Sequence, residues 1–221
     1  MRAFSKLTVT IALSLLAATG PTAFAQMGHG GPPQMHGVWS PVVGHGAAYE
    51  IQSADGKNST MEITVVGKET VDGKDAYWLE MAMASEDSGH AMLMKHLMVL
   101  DGQQTRVVRI IMQMPGRPPM EMPAQMAQRN ASHPADIRSD AQDLGSESVT
   151  VPAGTFSAEH YRMKDGGDAW VTKDVSPWGM AKFQSKDTTM VLTKVITDAK
   201  DKITGTPQPF DLSHMGGRPQ Q

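Results

Sequence analysis

Tyr77-Trp-Leu-Glu-Met-Ala-Met83 and, after a polar break at 85–89, Met92-Leu-Met-Lys-His-Leu-Met98 decide the fold. Methionine returns at the second position in each, and does so again at Met112/Met114 and Met120/Met122. Residues two apart in a β-strand point to the same face. Each pair that lies in a strand therefore sets two thioethers side by side on one surface. The flanking sequence keeps the same period. Tyr49-Glu-Ile-Gln alternates, and Met61, Ile63 and Val65 alternate with Glu62 and Thr64. Asp55-Gly56, Asp72-Gly73 and Asp101-Gly102 supply hairpin turns, and Arg106 to Met114 completes a fifth run. Five β-period runs joined by Asp-Gly turns predict an antiparallel meander.

The pattern changes after Met114. Pro115, Pro118, Pro119 and Pro123 exclude a central strand. The spacing predicts a short helix over Met122 to Arg129, with Pro123 in its first turn. It predicts a second from a Ser132 cap to about Gln142, with Pro134 in its first turn. Such short helices need to pack on the sheet to persist. Strands resume at Ser148. Val151-Pro-Ala-Gly154 is a tight turn with Pro second and Gly fourth. Phe156 to Met163 and Ala169 to Val175 form a strand pair. Met180 to Gln184 and Thr188 to Ile196 are the last strands.

The ends are of another kind. Arg2 and Lys6 precede an apolar run from Leu7 to Ala18, and Ala23-Phe-Ala25 is a cleavage signal. The reading is a signal peptide over 1–25, cut near Ala25/Gln26, and a mature protein in the periplasm or secreted. No later stretch approaches the ~20 apolar residues that span a bilayer, so a membrane-spanning segment is not expected. Residues 26–46 read as a flexible Met/His/Gly/Pro arm whose end Trp39, Val42 and Val43 dock, and 205–221 as a loose tail. One domain, 47–204, lies between them. The chain has no cysteine, which removes disulfides, thiolate metal sites and thiol catalysis. A net charge of -3 offers no argument for nucleic acid. The outlier is 18 Met against 5 Phe and 3 Tyr: soft, flexible apolar side chains are favoured over rigid ones.

Val149-Thr-Val-Pro-Ala-Gly-Thr-Phe156, Ala169-Trp-Val-Thr-Lys-Asp-Val175 and Pro177-Trp-Gly-Met-Ala-Lys182 resemble a broad set of uncharacterised exported bacterial proteins. In these a V-x-V-P-A-G-x-F hairpin precedes a W-V-x-x-x-V strand and a P-x-G-x-x-K turn. They are similar to the lipoprotein-carrier (LolA/LolB-like) superfamily. The resemblance implies a strongly curved antiparallel sheet, a half-barrel, with a few short helices on its concave face and an apolar cavity between. The expected fold class is thus α+β, mainly β. One departure is that the carriers are rich in aromatic and branched aliphatic side chains, where this chain is rich in Met. No functional residue is carried over. The Asn58-Ser-Thr60 and Asn130-Ala-Ser132 sequons are read as chance in a bacterium.

Three readings of the methionines stand side by side. They are core filler, or they line a cavity for an apolar ligand such as a lipid or acyl chain, or they bind copper. For the cavity the candidates are Met81, Met83, Met92, Met94, Met98, Met112 and Met114. For copper they are Met92, Met94, His96 and Met98, which alternation puts on one face. Met27, His29, Met35, His36 and His45 in the arm, with His214 and Met215, are a second Met/His set that composition alone can explain. Arg106 and Arg109, three apart, are expected on opposite faces, one pairing with Glu80. Glu159 and His160, being adjacent, are also expected on opposite faces. Trp78, Trp170 and Trp178 read as core or rim anchors. No nucleophile elbow, zinc-protease motif, phosphate loop or dinucleotide fingerprint is present, so the expectation is a non-enzymatic protein without a cofactor, copper being the alternative.

Overall fold

A computed structural model describes residues 37–85, 91–123, 132–164 and 166–210. Strands β1 (Gly46–Ser53), β2 (Asn58–Val71), β3 (Lys74–Ser85), β4 (Met92–Asp101) and β5 (Gln104–Gln113) pair antiparallel in chain order. The Asp-Gly signal is obeyed most directly between β2 and β3. Asp72 and Gly73 both take positive φ, 51° and 76°, the turn whose twist matches the flanking strands. Two short strands share the outer edge of β5: β6 (Met120–Glu121) meets Met112, and β7 (Ser132–Pro134) meets Gln104 to Arg106. A second meander follows: β8 (Ala141–Val151), β9 (Gly154–Met163), β10 (Asp168–Val171), β11 (Met180–Gln184) and β12 (Thr188–Ile196). Strand β12 returns to pair with β1, which joins the meanders into one sheet. Finally β13 (Gln208–Pro209) lies parallel to β6.

Alternation sends one face of this sheet into a single core. Tyr49 and Ile51, Met61 and Ile63, Leu79, Met98, Val107 and Ile110 from the first meander share it with the second. The latter contributes Met190 and Leu192, Met180, Val171, Tyr161 and Val149. Side chains from β5 and from β8, far apart in strand order, can meet only if the sheet bends around them. The Tyr49 hydroxyl donates to the Met180 carbonyl at 3.0 Å across the join. The segment before β1 also enters: Trp39 lies 4.7 Å from Trp178 and 6.2 Å from Tyr77, centroid to centroid. Its amide donates to the Ala135 carbonyl at 2.7 Å, while Val42 and Val43 stay exposed.

The expected α+β class is overturned. Among the described residues the helical content is one 3-10 turn, Ile137–Ser139, and the rest of the regular structure is strand. The helix expected from Ser132 to Gln142 is instead β7, that turn and the start of β8. Ser132, the expected cap, is in β7; the turn is capped by Asp136, whose carboxylate accepts from the Arg138 amide at 2.9 Å. Its apolar residues were not at helical spacing. Ala135 and Ile137, two apart, are the buried pair, and β5 offers its edge to Ser132 and Pro134. The other expected helix, Met122 to Arg129, falls largely outside the described residues; Met122 itself is extended, its amide donating to the Ile110 carbonyl. The concave side holds the sheet's own side chains rather than packed helices.

The outer face of the first meander is crossed by a strap after β12. Ala199 donates to the Gly44 carbonyl, Lys202 pairs with Glu62, and Ile203 is buried. Glu80 is buried beneath it and accepts from the amides of Lys202 and Ile203, both at 3.0 Å to Oε2. Burial, with the Asp201 carboxyl beside it, pushes Glu80 up to about 6.

Candidate functional site: a methionine ladder with a buried histidine

Strand register gathers the thioethers into rows. Ile63 faces Met81, Met81 faces Met94, Met94 faces Met112, and Met112 faces Met120. One row of direct cross-strand neighbours thus carries four methionines on β3, β4, β5 and β6. A second row runs Tyr49, Met61, Met83, Met92. Directly opposed residues put their Cβ atoms ~4.5–5.5 Å apart, so the sulfurs of a row can touch. Met81, Met83 and Met94 pack against the core, as does Met122, yet they keep part of their surface accessible, as do Met112 and Met120. Met61 is fully buried, and Met92, 37% exposed, ends its row.

Two expected members stand apart. Met98 is 5% exposed, faces Tyr77 and Val107, and is core. Met114 lies past the end of β5 in a turn, its carbonyl accepting from Arg117. The copper set along one strand does not converge either. Met92 and Met98 are six positions apart, about 20 Å at ~3.3 Å per residue. His214, Met215 and the arm residues Met27, His29, Met35 and His36 lie outside the described residues.

His96 sits in the adjoining row, between Leu79 and Ile110. Both partners are core residues, so the imidazole is on the inner face beside Met94. Its Nε2 is sealed from solvent and has no hydrogen-bond partner among the described residues. Burial lowers its pKa to about 4, so the ring is neutral at physiological pH. Sequence parity placed His96 on the methionine face, but nothing in the sequence indicated that the ring nitrogen would be orphaned.

Other clusters have closed chemistry. Val108 is an extra residue in β5: Leu97 faces Arg109 while Met98 faces Val107. This bulge turns Arg106 and Arg109 to the same outer face, correcting the expectation that they diverge. Arg109 holds Glu121 through Nε at 2.7 Å and Nη2 at 3.0 Å, not Glu80. Trp78 lies beneath Lys95 and Arg109, at 5.2 and 5.1 Å, in an outer cleft of about 530 Å³ that Asp201 and Ile203 also line. Lys95 is paired with Asp201, so the cleft's cations are both neutralised.

The sequence also gave no hint of a constellation on the second meander. His160 lies between Asp168, 3.0 Å from Nε2, and Glu147, 3.1 Å from Nδ1. Trp170 stacks on it at 4.4 Å, with Lys182 at 4.6 Å from the indole centroid. Both ring nitrogens of His160 are engaged. The cluster ties four strands, β8 to β11, together. Its signal was the shared parity of His160, Arg162, Asp168 and Trp170, which is readable only once β9 and β10 are known to pair.

No protein-family model matches the chain, and no curated protein matches it at significance. Among solved structures it is similar to a candidate exported protein with a YmcC-like fold from Bacteroides fragilis. That match has 12% identity and a TM-score of 0.37, and covers 72% of this chain and 99% of that one. It is also similar to a candidate lipoprotein from Parabacteroides distasonis, at 14% identity and a TM-score of 0.37, covering 73% of this chain and all of that one. At these TM-scores the likeness does not establish a shared fold.

Proposed function

We propose that the chain is an exported, non-enzymatic protein that holds an apolar ligand, a lipid or acyl chain, against the methionine ladder. The observation that carries this reading is the row Met81, Met94, Met112, Met120, in register on four strands and only partly covered. An unbranched thioether has three rotatable bonds and a polarizable sulfur, so a surface of them adapts to varied apolar shapes. Each ligand methylene that leaves water there contributes ~0.8 kcal/mol, so a chain of ten to sixteen carbons gains about 8 to 13 kcal/mol before the ordering cost of binding is subtracted. Export is supported by the charged start, apolar run and Ala23-Phe-Ala25 at the N-terminus.

The test is binding of dansyl-undecanoic acid to the mature protein, with displacement by palmitate and native mass spectrometry of the freshly purified chain. Saturable fluorescence enhancement is expected, falling at least tenfold in affinity in Met81→Glu/Met112→Glu. No enhancement, or equal affinity in a folded double variant, overturns the reading.

A further inference from the structure

We propose that His96 and the thioethers of Met81, Met94 and Met112 form a binding site for a soft monovalent cation, Cu(I). The site goes beyond apolar-ligand binding and occupies the deeper part of the same face. Met94 is directly opposed by Met81 on one side and Met112 on the other. His96 is two residues along from Met94, on the same face. It is therefore diagonal to both Met81 and Met112, which follow its own partners Leu79 and Ile110 by two positions. Cβ atoms on such a diagonal lie within ~7–8 Å, and each sulfur swings on free torsions two bonds beyond its Cβ. Four donors, one imidazole nitrogen and three sulfurs, thus occupy neighbouring positions on one face of three strands.

The orphaned Nε2 is the second observation. A buried polar nitrogen without a partner costs about 1–3 kcal/mol, and a bound cation would satisfy it.

The donor set selects the ion. All four donors are uncharged, and among the described residues no group of three or more His, Cys, Asp or Glu side chains could hold a metal. Divalent hard or borderline ions such as Mg²⁺ and Zn²⁺ would bring two uncompensated charges into an apolar face and meet few of the ligands they prefer. Thioethers favour soft ions, and a single positive charge spread over three polarizable sulfurs is the smallest electrostatic burden. Coordination is a simple association: no proton is released and the copper stays in the +1 state.

The experiment is anaerobic competition of the mature chain against the chromogenic Cu(I) chelator bicinchoninate. One equivalent of Cu(I) is expected to be withdrawn per chain. Met81→Leu/Met94→Leu/Met112→Leu and His96→Leu are each expected to weaken binding at least tenfold, and Met163→Leu on the opposite meander to leave it unchanged. Far-UV circular dichroism and urea midpoints establish that each variant is folded. Should the triple variant misfold, methyl NMR of the wild type with Ag(I) as a redox-inert analogue gives the same answer: the Met81, Met94 and Met112 methyls must shift. No withdrawal of Cu(I), equal affinity in the folded variants, or shifts confined to Met27 and Met35 of the N-terminal arm would overturn the proposal. Dansyl-undecanoic acid binding is measured on the wild-type chain without copper, and the Cu(I) competition without the fatty acid. Loss of copper and loss of the apolar ligand are therefore read separately.

Discussion

Replacing His96 by leucine should stabilise the protein, and increasingly so in acid. At pH 7 the substitution removes a sealed nitrogen that has no partner, a burden of about 1–3 kcal/mol. Leucine is close to imidazole in size, and repacking of such swaps typically costs below ~1.5 kcal/mol. The net expectation is a gain of about 1 kcal/mol. The pH dependence follows from the depressed pKa. His96 titrates at about 4 in the folded chain and near 6.5 when unfolded. Between these values the unfolded state holds more protons, so stability rises with pH and is lost as pH falls. That interval is worth about 3 kcal/mol at ~1.4 kcal/mol per pH unit. His96→Leu lacks this loss, and its advantage should grow to about 3–4 kcal/mol at pH 4.5. Urea unfolding of both proteins at several pH values between 4.5 and 7.5, followed by tryptophan fluorescence, measures the difference; titration of other groups cancels in it. A variant less stable than wild type at pH 7, or parallel stability curves, would refute the orphaned-nitrogen argument.

Glu80 should act in the opposite direction. Its folded pKa is raised to about 6, so the folded state holds the proton more tightly, and the stability present in acid is lost as pH rises through that value, by about 2 kcal/mol; Glu80→Gln should abolish this dependence in the difference urea curve, and a persistent slope would exclude Glu80 as its source. Gly179→Ala should cost more than 2 kcal/mol in the same assay, since the residue has a φ of 74° and its new Cβ would lie 2.6 Å from the Thr172 carbonyl oxygen; a change under 0.5 kcal/mol would show that this turn relaxes freely.

Local rules carried both meanders. Period-two alternation around Met61, Ile63 and Val65, and turns such as Asp72-Gly73, act over a few residues and are written in the sequence. What failed depended on partners distant in the chain. The pairing of Tyr49 with Leu192 joins residues with no shared local signal. The bulge at Val108 reversed the parity of Arg109 because pairing with β4, not strand periodicity, set the register there. A Ser132 cap with Pro134 in the first turn suggested a helix, but the unfilled edge of β5 and the buried pair Ala135 and Ile137 prevailed over propensity. The ladder itself was legible as parity; its ordering into Met81, Met94, Met112, Met120 needed the register between strands. The strap was hidden because Ala199-Lys-Asp-Lys-Ile203 is mostly charged and shows no strand or helix period, while the carboxylate that accepts from its amides lies 122 residues earlier.

The strap imposes a late finish on maturation. Glu80 belongs to the third strand, yet the amides that satisfy it arrive with residues 202 and 203, 122 and 123 positions further along the chain. Until those residues emerge, the carboxylate stays hydrated and the outer side of the first meander lacks its cover. Closure of this side of the sheet therefore waits on a contact that spans 122 residues, and a chain shortened before Lys202 leaves the Glu80 carboxyl without both donors.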